Sequence, residues 1–139
     1  MKRTVAISLL LLAACGYPRS PDGRVLVEGD KGGVISEYEK ERVKLASDPS
    51  GVVLCGEIES AATIFVSLPN ACSCPDAVFN FHGATKGFQQ SPKGTAVMAS
   101  YYPEPLRSWY LRNAAHLMLS EHATLTARQL AAMGILKSC

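Results

Sequence analysis

The chain has 139 residues, of which 47% are apolar, 19% charged and 7% aromatic, with five cysteines and a formal charge of +2. That length accommodates one domain and excludes a multidomain enzyme. The apolar fraction, with 11 glycines and 8 prolines, excludes a disordered or collagen-like chain, so the odd cysteine count is the feature that needs a cause.

Residues 1–14 carry Lys2 and Arg3 ahead of an apolar run from Val5 to Leu12, the pattern of an export signal. The run falls short of the roughly 20 residues needed to span a bilayer. Leu12-Ala13-Ala14-Cys15 resembles the bacterial lipobox. The resemblance implies that residues 1–14 are removed, that the Cys15 thiol is diacylated and that the new amino terminus is acylated. Several acyl chains anchor stably where one binds only marginally. Gly16 stands where an aspartate marks inner-membrane retention in enterobacterial sorting, so the outer membrane, facing the periplasm, is the expected location. Loss of Lys2 and Arg3 leaves 12 basic against 12 acidic residues, and nucleic acid is not an expected partner.

Residues 15–23, with two prolines, read as a lipidated linker, and 24–139 as the domain. Arg24 to Glu28 reads as a short strand ended by Gly29-Asp30-Lys31-Gly32-Gly33. A helix with an apolar stripe of Val34, Ile35, Tyr38, Val43 and Leu45 should follow, stopped by Asp48-Pro49-Ser50-Gly51. Val52 to Cys55 has the length of a buried strand. Ser60 to Leu68 is apolar throughout, which fits either a buried strand or a buried helix, and Ala61 and Ala62 beside the Gly56 turn favour the helix. Ala77 to Phe81 alternates as a strand and delivers His82-Gly83. Residues 84–94 are polar and aperiodic, the pattern of a mobile loop or lid. Helices are expected over 96–102, 106–119 and 127–133, the last capped by Thr126 and ended by Gly134. Strands alternating with helices imply an α/β fold with a largely parallel sheet and flanking helices.

With Cys15 assigned to the anchor, Cys55, Cys72, Cys74 and Cys139 form an even set, and two disulfides are expected in an oxidising compartment. Direct bonding of Cys72 to Cys74 closes too small a ring, so Cys55 and Cys139 should each reach one of that pair. The competing use of these residues is a metal site of Cys72, Cys74 and His82. It lacks the paired Cys-x-x-Cys spacing of zinc folds, and neither metal nor cofactor is expected.

Four segments in order carry a further resemblance: Lys31-Gly32-Gly33-Val34-Ile35, then Gly56-Glu57-Ile58-Glu59-Ser60-Ala61-Ala62, then Pro75 to Gly83, and the ending Leu125 to Ile135. Together they resemble the Clp-protease and crotonase superfamily, in particular the small envelope relatives of the Clp proteolytic subunit. The resemblance covers residues 24–136 and implies a single Clp/crotonase-like domain. It also implies serine-type hydrolysis of a peptide or other acyl substrate, with Ser60 as nucleophile and His82 as general base. The oxyanion would be held by backbone N–H groups carried over onto Gly33 and Ala61, where unpaired donors and the helix dipole favour negative charge. An aspartate orients the histidine in the peptidases. The matching stretch, 113–125, contains Glu121 as its only carboxylate, and Glu121 lies nearer the final helix than that acid does.

Each residue also has a plainer reading, Ser60 as a helix N-cap and His82 as a structural histidine. The competing function is therefore a catalytically inactive Clp-like fold acting as a binding or assembly protein of the cell envelope. A homo-oligomer is one expected assembly, although the chain has little room for the handle helix through which Clp rings form.

Overall fold

A computed structural model describes residues 16–139. It is a mixed α/β structure built on two three-stranded sheets. In the first, β1 (Val25–Glu28), β2 (Val52–Cys55) and β4 (Ala71–Ser73) run parallel in the order β1-β2-β4, with Val52 facing Val25 on one side and Ala71 on the other. The central strand is buried at every position, which is why it reads as an unbroken apolar run.

The chain crosses to the second sheet at Gly56 (φ +67°), between β2 and β3 (Glu57–Glu59). There β3 lies parallel to β5 (Val78–Phe81), and β5 pairs antiparallel with β8 (Ala123–Thr126). The expected mostly parallel sheet is therefore two small sheets, one parallel and one mixed. β3 and β8 do alternate, with Ile58 and Leu125 buried and Glu57, Glu59, Thr124 and Thr126 turned away from the core, but at three and four residues the pattern is too short to stand out in the sequence.

The segment after β3 is helical and buried, as its alanines suggested, but it is a 3₁₀ helix over Ser60–Ser67. Eight residues is long for this geometry. β-branched Thr63, Ile64 and Val66 weaken the α-helical preference. The Thr63 and Ser67 hydroxyls donate back to the carbonyls of Ser60 (2.6 Å) and Ile64 (2.8 Å). Burial of Ala61 through Val66 holds the element in place.

Helix α1 (Ile35–Ala46) buries only Leu45 fully, with Ile35 and Tyr38 half-buried. Val34 and Val43 are exposed, so the predicted stripe is narrower than its apolar count. Residues 84–94 do not form an aperiodic loop: they hold a short hairpin, β6 (Thr85–Lys86) and β7 (Gln89–Gln90), and the start of α2 (Pro92–Tyr101), which Ser91 caps by accepting from the Gly94 N–H. Helix α3 (Leu106–Asn113) is six residues shorter than expected, because residues 114–119 leave the helix to lie against Gly83. Helix α4 (Ala127–Ala132) starts in a capping box in which Thr126 accepts from the Gln129 N–H and the Gln129 side chain accepts from the Thr126 N–H; Gly134 follows at φ +73°.

Two aromatic groups fill the core. Phe81 packs edge-on against Tyr102 (5.5 Å) and Trp109 (5.4 Å), and Phe65 meets Tyr17 edge-on and Tyr38 at a 35° tilt. Disulfides join Cys55 to Cys74 and Cys72 to Cys139, so Cys55 and Cys139 each reach one member of the Cys-x-Cys pair. Both thiolates required by the metal alternative are thereby consumed.

Cys15 and the signal lie outside the described residues. Residues 17–23, expected as part of a spacer, instead lie along the domain. The Tyr17 ring meets Phe65, its hydroxyl donates to Asp30, the Leu26 N–H donates to the Pro18 carbonyl (2.8 Å), and Arg19 pairs with Asp48 (2.9 Å). Turn-forming prolines are compatible with a docked segment as well as a free one, and the anchoring comes from Tyr17 and Arg19. Among the described residues no helix is long and apolar enough to cross a membrane.

Candidate active site

Strand β3 ends at Glu59 in extended backbone (φ −126°, ψ 156°), and the next residue, Ser60, turns to φ +55°. Among the described residues Ser60 is the only non-glycine in the left-handed region, a conformation costing about 1–2 kcal/mol for an L-residue. A serine on such a strand-to-helix turn has the geometry of a nucleophile elbow, which lifts the hydroxyl clear of its own backbone. The N-cap position belongs to Glu59, which makes no side-chain cap bond. Among the described residues no hydrogen bond engages the Ser60 hydroxyl, so the plain N-cap explanation for this serine does not hold.

The turn is held from outside by the Asp30–Gly33 loop. The Asp30 carbonyl accepts from the Glu59 N–H (2.8 Å), and the Asp30 carboxylate accepts from the Gly32 N–H (2.9 Å) and from the Tyr17 and Tyr38 hydroxyls. Burial and the Asp30 carboxylate together raise both phenols well above the ordinary tyrosine range, so they stay protonated and donate. Gly32, at φ +80°, passes so close that an added Cβ would meet the Glu59 carbonyl oxygen and the Ser60 Cβ at 2.7 Å each and the Ala61 nitrogen at 2.9 Å. The need for glycine thus falls on Gly32. A Cβ at Gly33 would meet only the Tyr38 ring, at 3.4 Å. With the Gly32 N–H bound to Asp30, no hydrogen bond among the described residues occupies the Gly33 N–H, and Ala61 lies in the first turn of the 3₁₀ helix, where backbone donors lack intrahelical partners.

Strand β5 carries His82 to the same place. Ser60, His82, Gly33, Gly83, Ile35 and Met98 line one cavity of about 70 Å³, with half-exposed Leu119 at its rim. His82 is 8% exposed. Its Nδ1 lies 2.6 Å from the Gly83 carbonyl oxygen. Its own carbonyl accepts from the Tyr110 hydroxyl at 3.0 Å. Burial pushes the Tyr110 phenol up to about 12, against the opposing effect of a hydrogen bond with Thr95, so this donor persists through the ordinary pH range.

Glu121, the only carboxylate in its stretch, is exposed; its N–H donates to the Met118 carbonyl (2.8 Å), and no hydrogen bond or ion pair among the described residues joins it to His82. His116 and His122 are also exposed. Beside Ser60, Glu57 and Glu59 share Asn80, whose amide donates to both (2.6 and 3.3 Å) while its oxygen accepts from Thr124. Burial opposes charge on Glu59, but its interaction with Glu57 and the hydrogen bond from Asn80, with nearby Lys31 and His122, draw its carboxyl below the ordinary range.

Asp30 was not among the residues singled out from sequence. Its position two residues before Gly32 is the mark of an aspartate folding its side chain back onto a turn, but the partners that give it weight, Tyr17, Tyr38 and Glu59, come from three separate stretches. A separate groove of about 380 Å³, lined by Gly16, Tyr17, Glu37, Tyr38 and Glu41, holds none of the candidate residues. No protein-family model matches the chain, and no curated protein matches it in sequence.

Proposed function

We propose that the protein is an exported, lipid-anchored envelope protein with a Clp/crotonase-like domain, which hydrolyses a peptide or another acyl compound through Ser60 and His82. The observation that carries this reading is the Ser60 turn: a serine held at positive φ, its hydroxyl unengaged, facing the same small cavity as a buried histidine. Ser60 Oγ attacks the acyl carbonyl while His82 Nε2 takes the hydroxyl proton. The resulting oxyanion accepts from the Gly33 and Ala61 N–H groups. Collapse breaks the bond to the leaving group, which receives the proton from His82. Water then attacks the acyl-serine with His82 again as base, releasing the acid. Ile35, Met98 and Leu119 give the cavity an apolar wall that limits competing water. The two disulfides fit an oxidising compartment, as export requires.

The exposed position of Glu121 favours a second reading, an inactive fold of this class serving as an envelope binding or assembly protein. Fluorophosphonate labelling separates the two. The first expects one label per chain, abolished in Ser60→Ala and strongly slowed in His82→Ala. Equal labelling of parent and Ser60→Ala, or none in either, rejects it.

A further inference from the structure

A base that takes a proton on Nε2 must carry its other proton on Nδ1, and in a side-chain triad an acid enforces that tautomer. Among the described residues no side-chain acid does so. What faces Nδ1 is the main-chain carbonyl of Gly83, at 2.6 Å. A carbonyl oxygen can only accept, so the contact is a hydrogen bond only when Nδ1 bears the hydrogen, which leaves the Nε2 lone pair free. We infer that the Gly83 carbonyl is the positioning group for His82, taking the tautomer-fixing role that an aspartate has in the peptidases; this rests on the hydrolase reading above.

Gly83 is itself fixed. The Ala84 N–H, in the same peptide plane as the Gly83 carbonyl, donates to the Thr95 hydroxyl (2.9 Å); the Gly83 N–H donates to the Leu117 carbonyl (3.0 Å), and an added Cβ would lie 2.2 Å from the Ala115 carbonyl oxygen. In the preceding peptide plane, Tyr110 donates to the His82 carbonyl (3.0 Å). The stretch that would have supplied an acid therefore supplies backbone, residues 115–117, that grips the glycine after the histidine. The chemistry is sufficient for one of the acid's two tasks. In the serine-protease example, exchanging the acid for its amide costs about 10⁴-fold because the wrong tautomer is held. A carbonyl holds the right tautomer, but it brings no negative charge to the imidazolium that forms during attack. The expected enzyme is a serine–histidine dyad, slower than a full triad.

The test is ¹⁵N NMR of the histidine ring in the full chain in detergent micelles, with His116→Gln and His122→Gln so that His82 alone gives imidazole signals. The expected neutral form has hydrogen on Nδ1 and none on Nε2; a majority of the Nε2–H form overturns the inference. Gly83→Ala, which drives a Cβ into the Ala115 carbonyl, should convert that single tautomer to a mixture and slow Ser60 labelling about a hundredfold, the scale of a 1 Å misplacement. Retention of one Nδ1–H tautomer and the parent rate in a folded Gly83→Ala protein also overturns it. The two readings fail separately. An Nε2–H form with Ser60-dependent labelling removes the Gly83 role and keeps the hydrolase, whereas an Nδ1–H form without labelling removes the hydrolase and, with it, any catalytic positioning.

Discussion

Gly32 and Gly23 provide a matched pair for measuring what the close approach to Ser60 is worth. Both have positive φ, +80° and +87°, so alanine at either incurs the left-handed backbone cost of about 1–2 kcal/mol. They differ in surroundings. Nothing lies within 4 Å of a Cβ built on Gly23, whereas one on Gly32 meets backbone atoms of Glu59 and Ala61 and the Ser60 Cβ at 2.7–2.9 Å. None of those atoms is the free end of a flexible side chain, so the turn itself has to move, which adds about 1–3 kcal/mol of overpacking. Gly32→Ala should therefore unfold in urea with a total loss of about 2–5 kcal/mol, and Gly23→Ala with about 1–2. Because the displaced atoms belong to the nucleophile turn, labelling of Ser60 should fall about a hundredfold in Gly32→Ala and stay at the parent rate in Gly23→Ala. Equal stability losses, or a Gly32→Ala protein that labels at the parent rate, would refute the claim that Gly32 is a glycine because of Ser60.

Asp30→Ala removes three side-chain acceptor contacts, to the Gly32 N–H and the Tyr17 and Tyr38 hydroxyls, and keeps the main-chain bond to Glu59; urea unfolding should show a loss of about 3 kcal/mol, and a loss below about 1 would mean the phenols find other partners. The disulfides close loops of unequal span, with sequence separations of 67 for Cys72–Cys139 and 19 for Cys55–Cys74. On chain entropy the paired alanine variants should lose about 4 and about 3 kcal/mol respectively, and a larger loss for the shorter loop would contradict that origin. The Arg19 hydrogen bond, helped by Ser50, holds the half-buried Asp48 carboxyl down at about 2. A lowered folded pKa stabilises above the unfolded value of about 4 and is lost as pH falls from there through about 2. Exchange of the Leu26 amide, which is bonded to Pro18, should therefore quicken over that window relative to its intrinsic rate; the same acid response in Arg19→Gln would refute the clasp.

Residues with a one-dimensional signature were legible in the sequence. Val52 to Cys55 reads as a buried strand because each of its four side chains is apolar, and Thr126 reads as a cap because Gln129 follows at the spacing a capping box needs. Ser60 and His82 were singled out through the order of four short segments, and both line one cavity in the structure. What escaped was set by contacts between distant stretches. β8 shows only a four-residue alternation in Ala123 to Thr126, and its pairing with β5 is what makes it a strand. The end of α3 is likewise decided by Gly83, thirty residues earlier. Asp30 carries only a turn signal until Tyr17, Tyr38 and Glu59 are seen around it. Sequence likewise cannot say which of the two adjacent glycines, Gly32 or Gly33, has positive φ and which lines the cavity.

The docked Tyr17 also bears on how the domain would sit at a bilayer. With acyl chains on Cys15, only Gly16 separates the lipidated residue from one packed on Phe65. Two residue steps span at most about 7 Å. A tether of that reach cannot let the domain tumble at a distance from the headgroups. It would hold one face, the side bearing Tyr17, Glu37, Tyr38 and Glu41, against the membrane surface and fix the direction in which the Ser60 cavity opens. Substrate access would then depend on the orientation of the whole molecule, set by the docking of residues 17–19 near its amino terminus.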